Sequence, residues 1–597
     1  MKKTLSISML AASLTMMTCC TSEDPFEEFY NGNNSWTNGE ESFGGGSSTT
    51  GELATFNVAI DKTTAEPTAT ASEYFPDEED VFENNDFSLE VAIDMSNPVA
   101  KTENGVEVTV NNGHVTANHS SVKKVCYVLN GTTSNGSFTV LGEKKYAVKL
   151  NGVSITNPDS AALNLLSGKR AYVVLSDGTT NTLADGTGGS QKGALYCKGK
   201  LLFNGGGQLS VTGNSNNGIH SADYIVTNKG NNIYVKSTAN HGIKAGDDLY
   251  INGGILNVEV SAPGAKGING DIDVTVNGGR ITVVSTSNGK WDDEDLETKA
   301  SAGIACDSVL TINGGEIFLK STGSGGKGLK ADWEGYINGG KIRIITEGGL
   351  YYSNGTTESH NYTGDTERLD DEYTSSPKGI KIGTKNEHGV LTITDGDIMV
   401  RTSGNNAEGI ESKGTLDITG GQVLVYAHDD AINSSSDLTI SGGTVVAVGT
   451  NNDAIDANGN LYIKGGSIVA MGASGAEAGL DADESHAMYI SGGSVFAIGG
   501  RIDVKLGSTS QGIIQTTGSV SANSTASVRS GSTTLATFDM PPYSSTNGTI
   551  LVTAKGMTSG SSYTLTIGGK SQTVTASNSI SSGMGGGPGG GPGGFQP

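Results

Sequence analysis

The chain has 597 residues, 89 of them glycine, and a formal net charge of −25 at pH 7. Such acidity argues against binding to nucleic acids, whose phosphates would be repelled, and it means that an anionic ligand would need a bridging cation. The length exceeds that of a usual single domain. Folds built by repetition are not bound by that limit on domain size, because they grow by adding repeats.

The first segment has the pattern of a secretion signal. Two lysines precede an apolar run from Leu5 to Met17, which is too short to span a bilayer. The run ends at Cys19 and Cys20 and resembles a bacterial lipoprotein signal, and the acidic residues after it resemble export tags of surface lipoproteins. We therefore expect a surface-exposed outer-membrane lipoprotein, lipidated on Cys20 (or Cys19). An ordinary signal with coincidental cysteines is the alternative.

Composition divides the rest of the chain into several parts. The part before the repeats contains two strand-like runs, Ala54–Ile60 and Phe87–Ile93. Solenoids need such a cap because an open end would pair with another chain. The predicted parts are a signal peptide (1–20), a flexible tether (21–52), an N-terminal cap (53–104), a repetitive domain (105–502), a Ser/Thr-rich C-terminal β cap (503–582) and a disordered Gly/Pro tail (583–597).

The repetitive domain is built from one recurring unit, of which Gly242–Val258 is a clear example. A Gly-Ile opening leads to a short strand, an Asn-Gly-Gly turn and a second strand with alternating apolar residues. The turn recurs at Asn204, Asn252, Asn277, Asn313 and Asn338. Because one coil of such strands cannot bury its own apolar face, the coils must stack. The sequence predicts an all-β fold, a right-handed parallel β-helix with coils of roughly 24 residues and caps at both ends.

Two residue types in the repeats are predicted to be structural. Cys197 and Cys306 align with small residues such as Ala245 that should face the core, so we expect buried thiols rather than metal ligands. The turn asparagines should stack along the solenoid axis and hydrogen-bond to one another.

Two columns of residues flank the Gly-Ile motif, and these columns contain the candidate functional residues of the repeats. Aligning the repeats places lysines in the earlier coils and carboxylates in the later ones, with neighbours about 4.8 Å apart. At the crossover we expect Lys378 to pair with Glu408 and Lys381 with Glu411. The first column is Lys266, Ala302, Lys327, Lys378, Glu408, Asp430 and Asp453, and the second is Asn269, Ala305, Lys330, Lys381, Glu411, Asn433, Asp456 and Asp481.

The carboxylates of the last coils have no lysine in register to neutralise them. Like charges at this spacing repel unless they are solvated, protonated or bound to a cation. Oxygen ligands from two or three coils suit calcium, which takes six to eight of them; a solvated acidic face is the alternative. The predicted metal ligands are Asp429, Asp430, Asn433, Asp453, Asp456 and Asp481.

Two insertions, 288–300 and 348–376, each precede a Gly-Ile motif and carry aromatic residues. Insertions in solenoids map to loops on one face, which is often the binding face. Exposed aromatics there suit stacking on sugar rings; the alternative is that the loops pack their own aromatics. Trp333 also aligns with an exposed position. The predicted ligand-binding residues are Trp291, Tyr351, Tyr352, Tyr362, Tyr373, Lys378 and Lys381.

The coils over residues 105–502, with phrases such as Lys378–Lys381 and Asp453–Asp456, resemble the carbohydrate-binding parallel β-helix family of clostridial cellulose degraders. That family is similar to the family-nine polysaccharide lyases. The resemblance implies calcium on the β-helix, binding of acidic plant polysaccharide and cellulose, and Asp429, Asp430, Asn433, Asp453 and Asp456 as calcium ligands. In the lyases a lysine beside the calcium acts as the base, and the candidates here are Lys381, Lys330 and Lys505.

Three functions remain open from the sequence. The first is a surface lipoprotein that binds polysaccharide, acidic (polygalacturonate-like) or plant glucan, through a calcium-bearing face. The second is a calcium-dependent lyase of the pectate-lyase type, in which calcium acidifies the proton next to the uronate carboxyl. The third is a structural surface adhesin in which calcium only stabilises the fold.

Overall fold

The computed structural model describes residues 47–62, 65–67, 71–353, 373–384 and 388–581. The chain is almost entirely β, with 2% helix, and its strands stack in parallel into a β-solenoid of about 15 turns. The parallel β-helix predicted from the repeats is confirmed. Regular coils are 23 to 25 residues long, since Asn433 pairs with Asp456 and Ile243 with Ile268. Among the described helices none is long and apolar enough to cross a membrane.

Each regular coil contributes one strand to each of three sheets, which we call the site, middle and return sheets. The site sheet contains His114–Asn118, Ser137–Leu141, Leu163–Leu165, Gly193–Cys197, Asn217–Ser221, Ile243–Ala245, Lys266–Gly270, Ala302–Cys306, Lys327–Ala331, Lys378–Ile382, Glu408–Ser412, Ile432–Ser434, Ile455–Ala457, Ala478–Ala482 and Arg501–Asp503. The middle sheet contains Leu89–Asp94, Ala171–Leu175, Leu201–Asn204, Ile225–Thr227, Leu249–Ile251, Val274–Val276, Val309–Ile312, Glu334–Ile337, Val390–Ile393, Thr415–Ile418, Leu438–Ile440, Leu461–Ile463, Met488–Ile490 and Leu506–Thr509.

The return sheet carries each coil back to the site sheet of the next one. It contains Thr180–Asp185, Gln208–Gly213, Asn232–Ser237, Ile255–Val260, Arg280–Ser285, Glu316–Ser321, Lys341–Thr346, Asp397–Thr402, Gln422–Ala427, Thr444–Gly449, Ser467–Met471 and Ser494–Gly499. Two long strands near the start, Val125–Thr133 and Tyr146–Asn157, run through both the middle and return sheets.

The core is a set of inward columns that run the length of the solenoid. Ile268, Ile304 and Leu329 pair in register on the site sheet, and all three are fully buried. Cys197 and Cys306 stand in a neighbouring inward column, as predicted, and both are buried free thiols. Cys126 is also buried and free, but it lies beneath the N-terminal segment rather than in that column.

The turn asparagines form a ladder between the middle and return sheets. Asn277 donates to Asn252 Oδ1 at 2.9 Å, Asn313 donates to Asn277 Oδ1 at 2.9 Å, and Asn338 donates to Asn313 Oδ1 at 3.0 Å. In the turns at Asn252, Asn277, Asn313 and Asn338 the second glycine adopts the left-handed backbone, as at Gly279 with φ of 83°. In the turn at Asn204 it is the first glycine, Gly205, that does so. The predicted stacking is therefore present, and these residues hold the coils together.

The first described residues form a strap along the outside of the solenoid. The strap includes the helix Ser47–Glu52 and 3₁₀ turns at Glu78–Asp80 and Phe82–Asn84. Leu53 packs with Met399 and Leu424, whereas Asp80 is bonded to Arg170 and Tyr224 many coils away. The run Ala54–Ile60 forms no strand, contrary to its alternation, because it lies on the solenoid surface rather than inside a sheet.

Both ends of the solenoid carry antiparallel strands. At the start, Lys101–Glu103 and Val106–Asn111 pair antiparallel, the latter also with His114–Asn118. At the end, Ser545–Thr553 pairs antiparallel with Ser494–Gly499 and with Ile513–Val520, and a four-stranded sheet contains Thr525–Ser530, Thr533–Asp539, Ser562–Ile567 and Lys570–Thr575. The end structure also covers the outer face of the return sheet, where Phe538 packs against Phe496.

Candidate functional site

The outer face of the site sheet is shaped by the Gly-Ile motif. A Cβ at Gly379 would stand 2.2 Å from Val400 Cγ1 in the core, so this glycine, like Ile380, faces inward. Two consecutive inward positions leave Lys378 and Lys381 both pointing outward. Each strand therefore presents two side chains to the outside, and parallel pairing stacks them into two columns.

The register of the strands matches the columns aligned from the sequence. In the first column Lys327 is the register neighbour of Lys378, and Lys378 is the register neighbour of Glu408. In the second column Lys330 neighbours Lys381, and Lys381 neighbours Glu411. In the later coils the second column continues through Asn433, Asp456 and Asp481. The sign of the outward charge consequently changes between the strands that begin at Lys378 and Glu408.

The ion pairs at this crossover differ in part from the predicted ones. Lys378 pairs with Glu408 at 2.7 Å, as expected, but it also reaches Glu411 at 2.9 Å, and Lys413 from the following turn pairs with Glu411 at 2.6 Å. The expected pair of Lys381 with Glu411 is wrong, because Glu411 is already occupied by the two other lysines. Burial opposes ionisation of Glu411, yet these lysines hold its pKa well below the usual range.

Beyond the crossover, three carboxylates from two adjacent strands converge. One oxygen each of Asp453, Asp456 and Asp481 lies within 4.8 Å of the others. Asp430, 7% exposed, is joined to this group because its Oδ1 accepts the backbone N–H of Asp453 at 3.0 Å. We call Asp430, Asp453, Asp456 and Asp481 the carboxylate cluster.

Amide groups fix the orientation of the carboxylate cluster. Asn433 Nδ2 donates to Asp456 Oδ2 at 2.9 Å and to Asp430 Oδ2 at 3.4 Å. The backbone N–H groups of Ala478 and Ala482 donate to Asp453 and Asp481 respectively. Of the other predicted metal ligands, Asp429 lies at the edge, where it accepts a hydrogen bond from Asn452 at 2.9 Å.

The carboxylate cluster is strongly disposed to take up positive charge. Burial, together with the neighbouring carboxylates, raises the pKa of Asp453 to about 8, of Asp456 to about 7 and of Asp481 to about 6. Burial and four nearby acidic groups also hold the pKa of Asp430 well above its ordinary value. At neutral pH the cluster must therefore bind protons or a cation.

The donor set fits calcium. Oxygens bound to one calcium ion at about 2.3–2.6 Å are at most about 5 Å apart. The 4.8 Å limit on the oxygens of Asp453, Asp456 and Asp481 satisfies this condition. Hard carboxylate oxygens are ligands that calcium prefers, and no thiol or imidazole belongs to this three-residue group.

Turn aspartates neutralise two of the outward lysines in the earlier coils, whereas the carboxylate cluster has no such counter-charge among the described residues. Lys244 pairs with Asp271 at 2.7 Å, and Lys330 pairs with Asp332, so turn aspartates supply the counter-charge. No lysine or arginine among the described residues forms an ion pair with a member of the carboxylate cluster. Arg501, paired with Asp503 on the next strand, is the nearest cation in register.

Arg501 was missed from the sequence. It stands in the first column after Ala478, but the residue that follows it is Ile502 with no intervening glycine. The register shifts at this strand, so an alignment anchored on Gly-Ile does not extend to it.

The two insertions contact each other at the edge of the site sheet. The first is a hairpin of Lys290–Asp292 and Glu297–Lys299, and the base of the second pairs Tyr351–Tyr352 with Thr374–Ser375. The rings of Trp291 and Tyr373 stack with centroids 5.3 Å apart and an angle of 5° between their planes.

The other predicted aromatics are less open than expected or fall elsewhere. Tyr351 and Tyr352 are half-buried, and Tyr362 lies outside the described residues. Trp333, at the opposite edge of the site sheet, is 50% exposed and lies 6.2 Å from the ring of His388. Of the predicted aromatics that the structure describes, Tyr373, which stacks on Trp291, and Trp333 are therefore the exposed ones.

The three candidate base lysines occupy different environments. Lys330 is ion-paired with Asp332, and the exposed Lys505 donates to the carbonyl of Glu484. Burial lowers the pKa of Lys381, but this residue lies three strands, or about 14 Å, from Asp456 along the second column. A single sugar unit would not contact both Lys381 and Asp456.

Comparisons with known proteins indicate carbohydrate recognition. A family model described as carbohydrate-binding domain-containing protein matches residues 104–266 and 232–451, together more than half of the chain. A protein of Acetivibrio thermocellus with the same description is 27% identical over 148 residues, which are 23% of this chain. The match spans 50% of that relative's length.

Among solved structures, this chain is similar to the polysaccharide lyase-like protein from C. thermocellum, solved as a gadolinium derivative. The similarity has 22% sequence identity and a TM-score of 0.29, and it covers 38% of this chain and 93% of the other.

Proposed function

This chain belongs to the family of carbohydrate-binding domain-containing proteins, and from that premise we propose that it binds acidic polysaccharide through calcium held by the carboxylate cluster. The observation that carries the proposal is the convergence of Asp453, Asp456 and Asp481 within 4.8 Å. Bound calcium would supply positive charge for the carboxylates of the polysaccharide, whose approach to a protein of net charge −25 is otherwise unfavourable.

The protein's own residues define the place of binding. The Ala478 backbone N–H donates to the carboxylate of Asp453 and Asn433 donates to that of Asp456, so the metal-binding oxygens are oriented before the ion arrives. The columns run along the solenoid axis with a repeat of about 4.8 Å, and a polysaccharide chain that follows the axis could contact several coils at once.

We also propose that the protein acts at the bacterial outer surface. The support is the sequence before the solenoid, in which an apolar run ends at Cys19 and Cys20. A lipid on Cys20 (or Cys19) would attach the carbohydrate-binding domain to the outer membrane. Replacing both cysteines by alanine should move the protein from the membrane fraction to the medium.

The experiment for the carbohydrate site is retention on immobilised polygalacturonate, first in calcium and then in chelator. We expect retention in calcium and release by chelator from the wild type, and loss of retention from a D453N/D456N variant. D417N is the matched control, since Asp417 faces outward from the middle sheet and not from the site sheet.

The same experiment separates the alternatives. Accumulating absorbance from unsaturated uronides would identify a polysaccharide lyase. Calcium that raises the unfolding temperature without any retention on polygalacturonate would identify a structural adhesin and would overturn the proposal.

A further inference from the structure

The outward lysines of the earlier coils form a surface of their own, the lysine face, made of Lys244, Lys266, Lys327, Lys330, Lys378 and Lys381. Four of these ammonium groups have partners. Lys244 and Lys330 pair with turn aspartates, and Lys378 pairs with Glu408 and Glu411. Lys327 donates to Ser375 Oγ at 2.7 Å and to the carbonyl of Ser376 at 3.0 Å, which ties the second insertion to this surface.

The remaining two ammonium groups, those of Lys266 and Lys381, have no hydrogen bond or ion pair within the described ranges. Two of the carboxylates that act on them are engaged by other lysines. Asp332 is taken by Lys330, and Glu411 is taken by Lys378 and Lys413. Asp307 also acts on Lys266 electrostatically, but the two form no ion pair in the described part of the chain.

An unpaired ammonium group in a half-buried position is electrostatically unfavourable. Both Lys266 and Lys381 are only partly exposed. Burial lowers the pKa of Lys266 to about 8 and also lowers the pKa of Lys381. A ligand that brings an anion to these positions would relieve this cost, since a charge removed from water is stabilised by a partner.

The lysine face is bounded on both sides by features suited to a sugar chain. The hairpin of the first insertion and the described base of the second lie at the edge where the strands begin, and Trp333 stands, half-exposed, where the strand Lys327–Ala331 ends. The strands carrying Lys266 and Lys381 are three steps apart, about 14 Å along the axis. Aromatic surfaces next to charged groups are typical of sites for polar ligands with apolar faces.

We propose, building on the proposed function, that Lys266 and Lys381 form a second polysaccharide subsite that binds carboxylate groups of an acidic glycan directly, without a bridging cation. The same glycan chain then lies along the site sheet, held by ammonium groups on the lysine face and through calcium on the carboxylate cluster. The ligand class is a uronate-containing polysaccharide of several sugar units.

The test is calorimetric titration of oligogalacturonate into a K266Q/K381Q variant in saturating calcium. We expect the affinity to fall about a hundredfold or more, the size associated with losing two charge-assisted hydrogen bonds. K266R/K381R should retain most of the affinity. K341Q is the matched control, because Lys341 is exposed on the return sheet.

Four further measurements make the outcome decisive. Calcium affinity, measured without sugar, should be equal in the wild type and K266Q/K381Q, and so should the unfolding temperature within a few degrees. Methyl-esterified oligogalacturonate should bind both proteins equally weakly, whereas equal loss with dextran sulfate would extend the subsite to sulfate esters.

Failure of this inference is distinct from failure of the proposed function. If K266Q/K381Q binds oligogalacturonate as tightly as the wild type while D453N/D456N does not bind, the lysine subsite is refuted and the calcium site stands. If D453N/D456N retains lysine-dependent binding, the subsite stands and the calcium-based proposal is refuted. If the wild type binds no oligogalacturonate in calcium, both are refuted.

Discussion

The coils on either side of the crossover share one backbone and carry opposite outward charges. In both halves a glycine (or alanine) and an aliphatic residue face the core, so the strands at Lys378–Ile382 and Ile455–Ala457 stack in the same register scheme. The flanking positions do not contribute to the core and are free to vary. The solenoid therefore holds two chemically different surfaces on one continuous sheet.

The halves also differ in how their charges are balanced. In the earlier half the turn after the strand supplies aspartates to lysines, as with Lys244 and Asp271. In the later half the corresponding turns supply no cation to Asp453 or Asp456 in the part of the chain that the structure describes. A partly neutralised lysine surface and an unneutralised carboxylate surface lie side by side, and only the carboxylate surface requires an external cation.

The largest effect that distinguishes the halves should be a dependence of stability on pH in chelator. The pKa of Asp453 is raised by burial to about 8, against about 3.9 in the unfolded chain. Between about pH 4 and pH 8 the folded state therefore binds more protons than the unfolded state. The contribution of Asp453 to the unfolding free energy is fully present below about pH 4 and is lost as the pH rises towards 8. At pH 7 the loss from Asp453 alone is on the order of 4 kcal/mol.

This dependence is measured by chemical unfolding from pH 4 to pH 8, in chelator and in calcium. Calcium should abolish most of it, because the ion replaces the protons. In D453N the slope in chelator should be shallower, since one shifted group is gone. An unfolding free energy that stays flat with pH in chelator would show that the later half is solvated and not electrostatically strained.

A second, somewhat smaller effect is expected at the crossover itself. Lys378 is 4% exposed and joins Glu408 to Glu411, which is 2% exposed. K378M would leave buried carboxylates with Lys413 alone, and we expect a loss of about 3 kcal/mol in unfolding free energy. Adding E408Q and E411Q should recover much of it. K341M, on an exposed lysine, is the control, and equal losses in the two single variants would contradict a structural role for the crossover.

The sequence is enough to predict the two columns of outward residues, but it is not enough to predict which of those residues form ion pairs. Parallel coils in register place residues that occupy the same position relative to Gly-Ile next to each other, so the neighbours of Asp456 follow from alignment alone. A long lysine side chain is not confined to the opposite position. Lys378 therefore reaches both Glu408 and Glu411, and the turn residue Lys413 displaces Lys381.

The strap shows a different limit. The alternation in Ala54–Ile60 is that of a strand, yet Leu53 enters a cluster on the outer face of the return sheet and Arg401 donates to the carbonyl of Ala54 at 2.7 Å. The apolar residues of the strap pack on an outer surface that is formed by other coils. Nothing local in the sequence distinguishes that surface from the core.

The smallest expected effect concerns the turns between the middle and return sheets, where the two halves also differ. Asn277, 2% exposed, donates to Asn252 and accepts from Asn313, each at 2.9 Å. The equivalent position in the later half is Ser441, which is exposed. N277A removes a link of the ladder and leaves the Asn313 amide without its acceptor, so we expect a loss of about 1–2 kcal/mol in unfolding free energy. S441A should change it by less than about 0.5 kcal/mol. Equal effects of N277A and S441A in urea unfolding would mean that backbone pairing alone holds the earlier turns together.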